Sequence, residues 1–291
     1  MARVGVLFQP EWPPEELPAF ARAAERGGFA ELWVVEDCFM AGGPTMAVAA
    51  LAATSRLDVG IGLLPVTLRN PALAAMEIAG VARMHPGRLT VAFGHGVEAW
   101  MRQIGARPPD RLVALEETVA AVRALLAGEA VSEHGDHVRL EDVRLAHTPD
   151  PPPDLLIGTT GPRGMAVASR AADGVLLPEG SGPEAVSWAR DAAMPRRLVV
   201  YAWMSLDDDR DAALEAFRPR LERWLELGLY PRLSELASDP RTLAVVGDAE
   251  DCARAVARLH DAGADSVVLV PRLEDRDEQV ASFAADVLPR L

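Results

Sequence analysis

The sequence predicts an α/β protein, a (β/α)8 TIM barrel with an excursion before the fifth strand. Short β-rich runs alternate with longer helical patterns along nearly the whole chain, which is typical of βα units around a parallel sheet. There are eight such runs, each followed by a helix, and eight is the number that closes this barrel. The runs are apolar on both faces, as buried parallel strands are. A doubly wound open sheet is the alternative, but no G-x-G-x-x-G follows the first strand.

The first half of the chain contains four predicted strands. The helix after the first strand begins in the proline- and glutamate-rich segment 13–16 and ends at Gly27-Gly28, a typical helix stop. Asn70 before Pro71 is an N-cap followed by proline at the first helical position. The predicted strands are Val4–Phe8, Leu32–Val35, Leu57–Leu64 and Arg88–Gly94, and the later helices cover 44–54, 70–84 and 108–126.

Residues 128–153 interrupt this alternation and form the excursion. They contain a predicted short hairpin and a proline-rich connector at 149–153. The remaining strands are predicted at Asp154–Gly158, Asp173–Pro178, Arg196–Ser205 and Asp265–Pro271. Helices are predicted to begin near Pro162 and Pro183, to cover 207–237 and 249–262, and to close the chain. We expect one domain over residues 1–291.

Composition excludes several classes of function. The formal charge is −14, which argues against general binding to nucleic acids or anionic membranes. All 29 basic residues are arginine, so no lysine can form a Schiff base or complete a phosphate-binding P-loop. Two cysteines give neither a disulfide framework nor a metal site, and we expect no metal. With no signal-peptide pattern and no long apolar run, we expect a cytoplasmic protein.

In a TIM barrel the active site lies at the carboxyl ends of the strands. After the fifth strand, a glycine-rich turn opens a helix, and the free amides of such a turn suit a phosphate. The residues of this candidate phosphate site are Gly158, Thr159, Thr160, Gly161 and Arg163. The alternative is an ordinary strand-to-helix turn.

Other strand ends carry candidate catalytic groups. His95, between Gly94 and Gly96 after the fourth strand, can polarise a substrate or bond a ring carbonyl, or it can be structural. Glu36 and Asp37 follow the second strand, and a buried carboxylate there can act as acid or base, or cap a helix. Leu64-Pro65 interrupts a central strand, which indicates a bulge or the strand's end and permits a cis bond.

The whole pattern resembles the bacterial luciferase-like family of flavin- and deazaflavin-dependent oxidoreductases. The resemblance covers essentially the full chain. Its most specific parts are an R-N-P block followed by P-G-R at residues 69–71 and 86–88, and G-T-T-G-P followed by A-D-G at residues 158–162 and 172–174. The segments 24–37 and 245–270 match as well.

This resemblance implies a cofactor ring at the barrel mouth and a homodimer. A bulge behind the ring, often with a cis peptide, would fall at Gly62, Leu63, Leu64 and Pro65. The ring and phosphate contacts would be Gly94, His95, Gly96, Gly158, Thr159, Thr160 and Gly161. Many members carry an acidic residue and then a histidine after the second strand, whereas this chain has Glu36-Asp37. The catalytic candidates are therefore Glu36, Asp37 and His95.

Among family members, the chain is most similar to those that use coenzyme F420, a deazaflavin. The leading hypothesis is hydride transfer between F420 and a small, largely apolar substrate. The mouth residues Trp12, Phe39, Trp100 and Trp203 suggest apolar substrate contacts, or they serve only packing. An FMN-dependent monooxygenase is one alternative, and a non-catalytic barrel without cofactor is another. The absence of lysine disfavours a glucose phosphate substrate.

Overall fold

The computed structural model describes residues 3–219 and 242–291. The strands are β1 Arg3–Phe8, β2 Glu31–Val34, β3 Asp58–Pro65, β4 Leu89–Gly94, β5 Val131–His134, β6 Arg139–Val143, β7 Asp154–Gly158, β8 Gly174–Leu177, β9 Arg197–Leu206, β10 Ala244–Gly247 and β11 Ser266–Pro271. The helices are α1 Leu17–Gly27, α2 Gly43–Ala53, α3 Pro71–Met84, α4 Glu98–Gln103, α5 Arg111–Leu126, α6 Pro162–Ala171, α7 Pro183–Ala193, α8 Arg210–Glu215, α9 Ala249–Asp261 and α10 Arg276–Ser282.

The main sheet is a closed parallel barrel. Its strand order is β9-β11-β1-β2-β3-β4-β7-β8, and β8 pairs with β9 to close the ring. Closure confirms the predicted (β/α)8 barrel and rules out the open sheet. The long strand β9 also pairs, through residues 203–206, with β10. The sequence prediction missed β10.

Two apolar layers surround the barrel wall because side chains alternate along each strand. The interior cluster includes Leu7, Trp33, Ala92 and Leu156, together with Trp203. The outer cluster lies between strands and helices and contains their sequence neighbours, such as Phe8 and Val34. This alternation determines which residues after each strand face the mouth.

The elements around the mouth differ from the prediction in two places. The helix predicted from Pro108 begins instead at Arg111, because Asp110 caps it by accepting hydrogen bonds from the amides of Leu112 and Val113. The short helix α4, which follows β4, was not predicted. The predicted hairpin within residues 128–153 is confirmed as β5 and β6. Most of the helical prediction for 207–237 lies outside the described residues, which show α8 before the gap.

The described residues contain no helix long and apolar enough to cross a membrane.

Candidate active site

A β-bulge in β3 shapes one side of the barrel mouth. The pairing of β3 with β4 shifts register between Gly62 and Leu64, which leaves Leu63 as the extra residue. The Gly62–Leu63 peptide bond is cis, whereas the sequence had suggested Leu64–Pro65 for such a bond. The Tyr201 hydroxyl on β9 donates to the Gly62 carbonyl at 3.2 Å across the barrel interior. The bulge therefore lies within the predicted range 62–65.

The Leu63 side chain packs against two glycines on neighbouring strands. A Cβ added at Gly94 would lie 2.5 Å from Leu63 Cδ2, and one at Gly158 would lie 2.6 Å from the same atom. Neither position accepts a side chain while Leu63 holds this orientation. The two glycines therefore let the bulge and the ends of β4 and β7 form one close-packed apolar surface, which we call the Leu63 platform (Leu63, Gly94 and Gly158).

His95 and Gly96 follow this platform on β4. Gly96 has a φ of +67°, a conformation that favours glycine. His95 is partly buried, and its Nδ1 has no hydrogen-bond partner among residues 3–219 and 242–291. Burial, with a smaller contribution from the positive charge of Arg111, lowers the pKa of His95 to about 4. The imidazole is therefore neutral at neutral pH and retains an unused ring nitrogen.

The loop after β7 opens helix α6. Gly161 is the N-cap, and its amide donates to the Thr159 hydroxyl at 3.4 Å. A Cβ at Gly161 would meet no described atom within 4 Å, so the loop is open above this residue. Thr160 is partly buried, and Arg163 in the first turn of α6 is exposed. The arrangement brings the N-terminus of α6 and one cation to the rim beside the Leu63 platform.

Three further arginines lie on the same rim and were not foreseen from the sequence. Arg107 Nε and Arg111 Nη1 each lie 3.1 Å from a Glu98 carboxylate oxygen, and Arg102 forms a third ion pair with Glu98. One carboxylate thus faces three guanidinium groups. Of these arginines, Arg111 acts on His95, where the negative charge of Asp110 opposes it.

The Glu36 carboxylate is held by another arginine. Arg69 donates to both of its oxygens at 2.5 and 2.8 Å, and the Gly43 amide donates at 2.6 Å. Arg69 also lies 2.9 Å from Glu77, and these contacts raise the pKa of Arg69. Glu36 therefore ties the loop after β2 to the loop after β3. Asp37, the neighbouring carboxylate, is partly buried.

The four aromatic candidates occupy different environments. Trp203 belongs to the interior cluster and stacks on Phe217, with ring centroids 5.6 Å apart. Trp12 belongs to the outer layer, where it packs against Phe8 and lies beneath the Arg276 guanidinium at 4.6 Å.

The other two aromatic candidates lie nearer the surface. Phe39 is 62% exposed on the loop after β2, and Trp100 is half-buried on α4. Of the four, the structure places Trp203 on the interior wall.

Two polar residues on the interior wall were not singled out from the sequence. Gln9 follows β1 and Ser205 lies near the end of β9, and both are fully buried. The signal that could have found Gln9 is strand alternation, because it lies two residues after the inward-facing Leu7. The described residues contain no group of three or more metal-ligating side chains.

The chain matches a family model described as luciferase-like monooxygenase over residues 2–266. It is 29% identical to the F420-dependent glucose-6-phosphate dehydrogenase of Beutenbergia cavernae over 283 residues, which covers 89% of this chain and 83% of the relative.

Solved structures share the fold. The coenzyme F420-dependent tetrahydromethanopterin reductase of Methanopyrus kandleri superposes with a TM-score of 0.82 at 19% identity, over 99% of each chain. The oxygenating constituent of 3,6-diketocamphane monooxygenase from Pseudomonas putida, in complex with FMN, gives a TM-score of 0.79 at 16% identity, over 100% of this chain and 99% of that chain.

Proposed function

The chain belongs to the luciferase-like monooxygenase family, and from that premise we propose that it is an oxidoreductase that transfers a hydride between coenzyme F420 and a small organic substrate. The observation that carries the proposal is the Leu63 platform. A planar deazaflavin ring needs a flat apolar surface on one face, and Leu63 packed against Gly94 and Gly158 supplies it. The F420-dependent relative supports the choice of cofactor.

The rim beside the platform fits the phosphate of this cofactor. The open loop at Gly158, Thr159, Thr160 and Gly161 leads into the start of α6, where the helix dipole favours an anion. Arg163 adds a positive charge. The cluster of Arg102, Arg107 and Arg111 keeps the local potential positive despite the net charge of −14. Arg69 forms ion pairs with Glu36 and Glu77, so we do not assign it to the cofactor phosphate.

When bound, the deazaflavin supplies or accepts the hydride at its ring carbon. The chain orients the ring and substrate and shields them from water. At neutral pH, His95 offers an uncharged imidazole with Nδ1 available for a hydrogen bond. Both oxygens of Glu36 are held by Arg69, so its role is to position the loop. We propose Asp37, which follows β2 next to Glu36, as the group that takes or gives a proton.

The proposed substrate is small and largely apolar. Trp203 lies on the interior wall and is stacked on Phe217, and Phe39 and Trp100 lie on loops that follow β2 and β4. One relative is named for glucose 6-phosphate, but we do not propose that substrate for this chain, which has no lysine to hold a sugar phosphate.

An FMN-dependent monooxygenase is the second candidate, because a flavin ring is also planar and the Leu63 platform can support it. A cofactor-free barrel is disfavoured by the F420-dependent relative. The test is to supply reduced F420 with a panel of ketones, aldehydes and activated alkenes without oxygen. We expect the deazaflavin to be reoxidised. Turnover that requires oxygen and reduced FMN would favour the second candidate.

A homodimer is part of the proposal. Helix α3 exposes an apolar stripe formed by Leu73, Met76 and Met84, each more than half exposed. Gly80 lies on the same face, where a Cβ would meet no described atom within 4 Å. The spacing of these residues is helical, so they line one side of α3. Contiguous exposed apolar surface of this kind marks an interface, and we assign it to a second copy of the chain.

A further inference from the structure

Gln9 carries an unused hydrogen-bond acceptor inside the barrel. Its Nε2 donates to the Pro271 carbonyl at 2.6 Å, and the side chain has no solvent exposure. A carbonyl can only accept, so this bond fixes which end of the Gln9 amide faces Pro271. The Gln9 Oε1 atom has no hydrogen-bond partner within residues 3–219 and 242–291.

Ser205 carries a second unused polar group on a nearby strand. It is fully buried, and its hydroxyl has no partner in the described part of the chain. Trp203 is in register with Val270, and both belong to the interior cluster with Leu7. Gln9 and Ser205 lie two residues beyond Leu7 and Trp203, so strand alternation points both side chains inward.

The interior layer below this pair is apolar. Trp203 and Val270 lie one layer below, and Phe217 stacks on Trp203. A buried polar group without a partner is unfavourable unless something else satisfies it. Two such groups on one wall, separated only by β11, together indicate a place for a polar group of a ligand.

The pair lies across the barrel from the platform assigned to the cofactor ring. Strand β9 is four strands from β3 in either direction around the ring, and β1 is two strands from β3. A ring resting on Leu63 therefore turns its other face toward Gln9 and Ser205. That face is where a substrate must lie to exchange a hydride with the ring.

We propose that Gln9 and Ser205 bind a hydroxyl group of the substrate, so that the site selects alcohols. The inference rests on the proposed function. Gln9 Oε1 can only accept, so the ligand must donate to it, while the Ser205 hydroxyl can donate in return. A hydroxyl group meets both requirements at once. A ketone can bond Ser205 but leaves Gln9 Oε1 unsatisfied.

The test uses protein loaded with oxidised F420 and two probes, 1-methylcyclohexanol and cyclohexanone. The first is a tertiary alcohol and the second is a ketone, so neither has a hydrogen on its oxygen-bearing carbon. Neither can therefore give a hydride to oxidised F420. Binding is followed by calorimetry and by the fluorescence of the bound deazaflavin. We expect wild-type protein to bind the alcohol about tenfold more tightly than the ketone.

Two substitutions test the contacts of Gln9 and Ser205 separately. Gln9→Met should weaken alcohol binding about tenfold and leave ketone binding unchanged, whereas Ser205→Ala should weaken both. Gln279→Met is the matched control, because Gln279 is also buried but its amide is bonded to both backbone groups of Leu206. It should lower the melting temperature and leave the alcohol-to-ketone ratio unchanged.

Equal binding of the two probes by the F420-loaded wild type would overturn the inference, as would failure of the alcohol to bind. A loss of F420 affinity in Gln9→Met would overturn it too, since Gln9 would then contact the cofactor. A wild-type protein that binds no F420 contradicts the proposed function itself, an outcome seen in the cofactor titration before any probe is added.

Discussion

The side chain of Leu63 lies so close to the backbone of Gly94 that a Cβ at position 94 would be 2.5 Å from Leu63 Cδ2. Real Cβ atoms do not approach other carbons this closely, so one of the two groups would have to move. Leu63 is the extra residue of the β3 bulge, and Gly94 ends β4. Their contact couples the shape of the platform to the identity of residue 94.

Replacing Gly94 by alanine should therefore damage the platform. The added methyl group forces Leu63 or the end of β4 to move, which changes the surface assigned to the cofactor ring. We expect F420 affinity to fall about tenfold or more, which corresponds to a repacking cost of about 1–3 kcal/mol. Titration of the deazaflavin fluorescence measures the change.

Gly80→Ala is the matched control for this substitution. Gly80 lies in α3, and its added Cβ would meet no described atom within 4 Å. Alanine there should leave F420 affinity unchanged, because Gly80 lies on the face of α3 assigned to the second copy and not at the barrel mouth. If Gly94→Ala bound F420 as tightly as Gly80→Ala does, the platform would not be the ring site.

Removing Arg69 should destabilise the fold. Glu36 is 7% exposed, and without Arg69 it would be a buried carboxylate with only the Gly43 amide as partner. Arg69→Met should therefore lower the free energy of unfolding by about 2–4 kcal/mol, measured by urea denaturation at pH 7. Arg102→Met removes an arginine that is 65% exposed, and it should cost less than about 1 kcal/mol. Equal costs for the two variants would show that the Glu36–Arg69 pair is not structural.

His95 should make the protein less stable as the pH falls. Its pKa is about 4 in the folded protein, against about 6.5 in an unfolded chain. Between these values the unfolded chain binds more protons, so lowering the pH from 6.5 to 4 favours unfolding. The contribution of this one group is about 3 kcal/mol over that range.

The His95→Gln variant isolates this contribution. Both proteins share all other titrating groups, so the difference between their unfolding curves at pH 6.5 and at pH 4 reports His95 alone. The variant should lose less stability than the wild type as the pH falls. Parallel pH dependence in the two proteins would mean that the folded environment does not suppress protonation of His95.

A charge on the exposed face of α3 should dissociate the proposed dimer. Met76→Glu places a carboxylate in the apolar stripe, where a second copy would bury it without a partner. We expect light scattering after gel filtration to give the monomer mass for Met76→Glu and twice that mass for the wild type. Ser169→Glu, at an exposed position on α6, should remain a dimer. A monomeric wild type would contradict the assignment.

Strand alternation and turn signals were sufficient to predict most of the barrel. The eight barrel strands were found because each combines an apolar run with a clear helix start after it. β10, Ala244–Gly247, is as short as β2 and β8, which were found. It was missed because it pairs only with the extension of β9 and adds a strand outside the eight that close the ring.

The candidate site was predictable only where it follows from local sequence. The glycine loops at Gly94 and Gly158 stand directly after strands, so their place at the mouth could be inferred. The bond between Arg69 and Glu36 joins residues 33 positions apart, and neither local pattern indicates the other. Trp12 follows a strand as the other candidates do, but its side chain packs against Phe8 in the outer apolar layer. Its position after a strand did not indicate this orientation.

Parallel titrations of the purified protein with F420 and FMN show whether the barrel mouth binds a deazaflavin. We expect F420 to bind with a Kd in the micromolar range or below and FMN to bind at least about tenfold more weakly. Gly158→Asp should abolish the F420 signal through its bulk against Leu63 and its negative charge. Tight binding of FMN with no binding of F420 would mean that the barrel mouth is a flavin site and not a deazaflavin site.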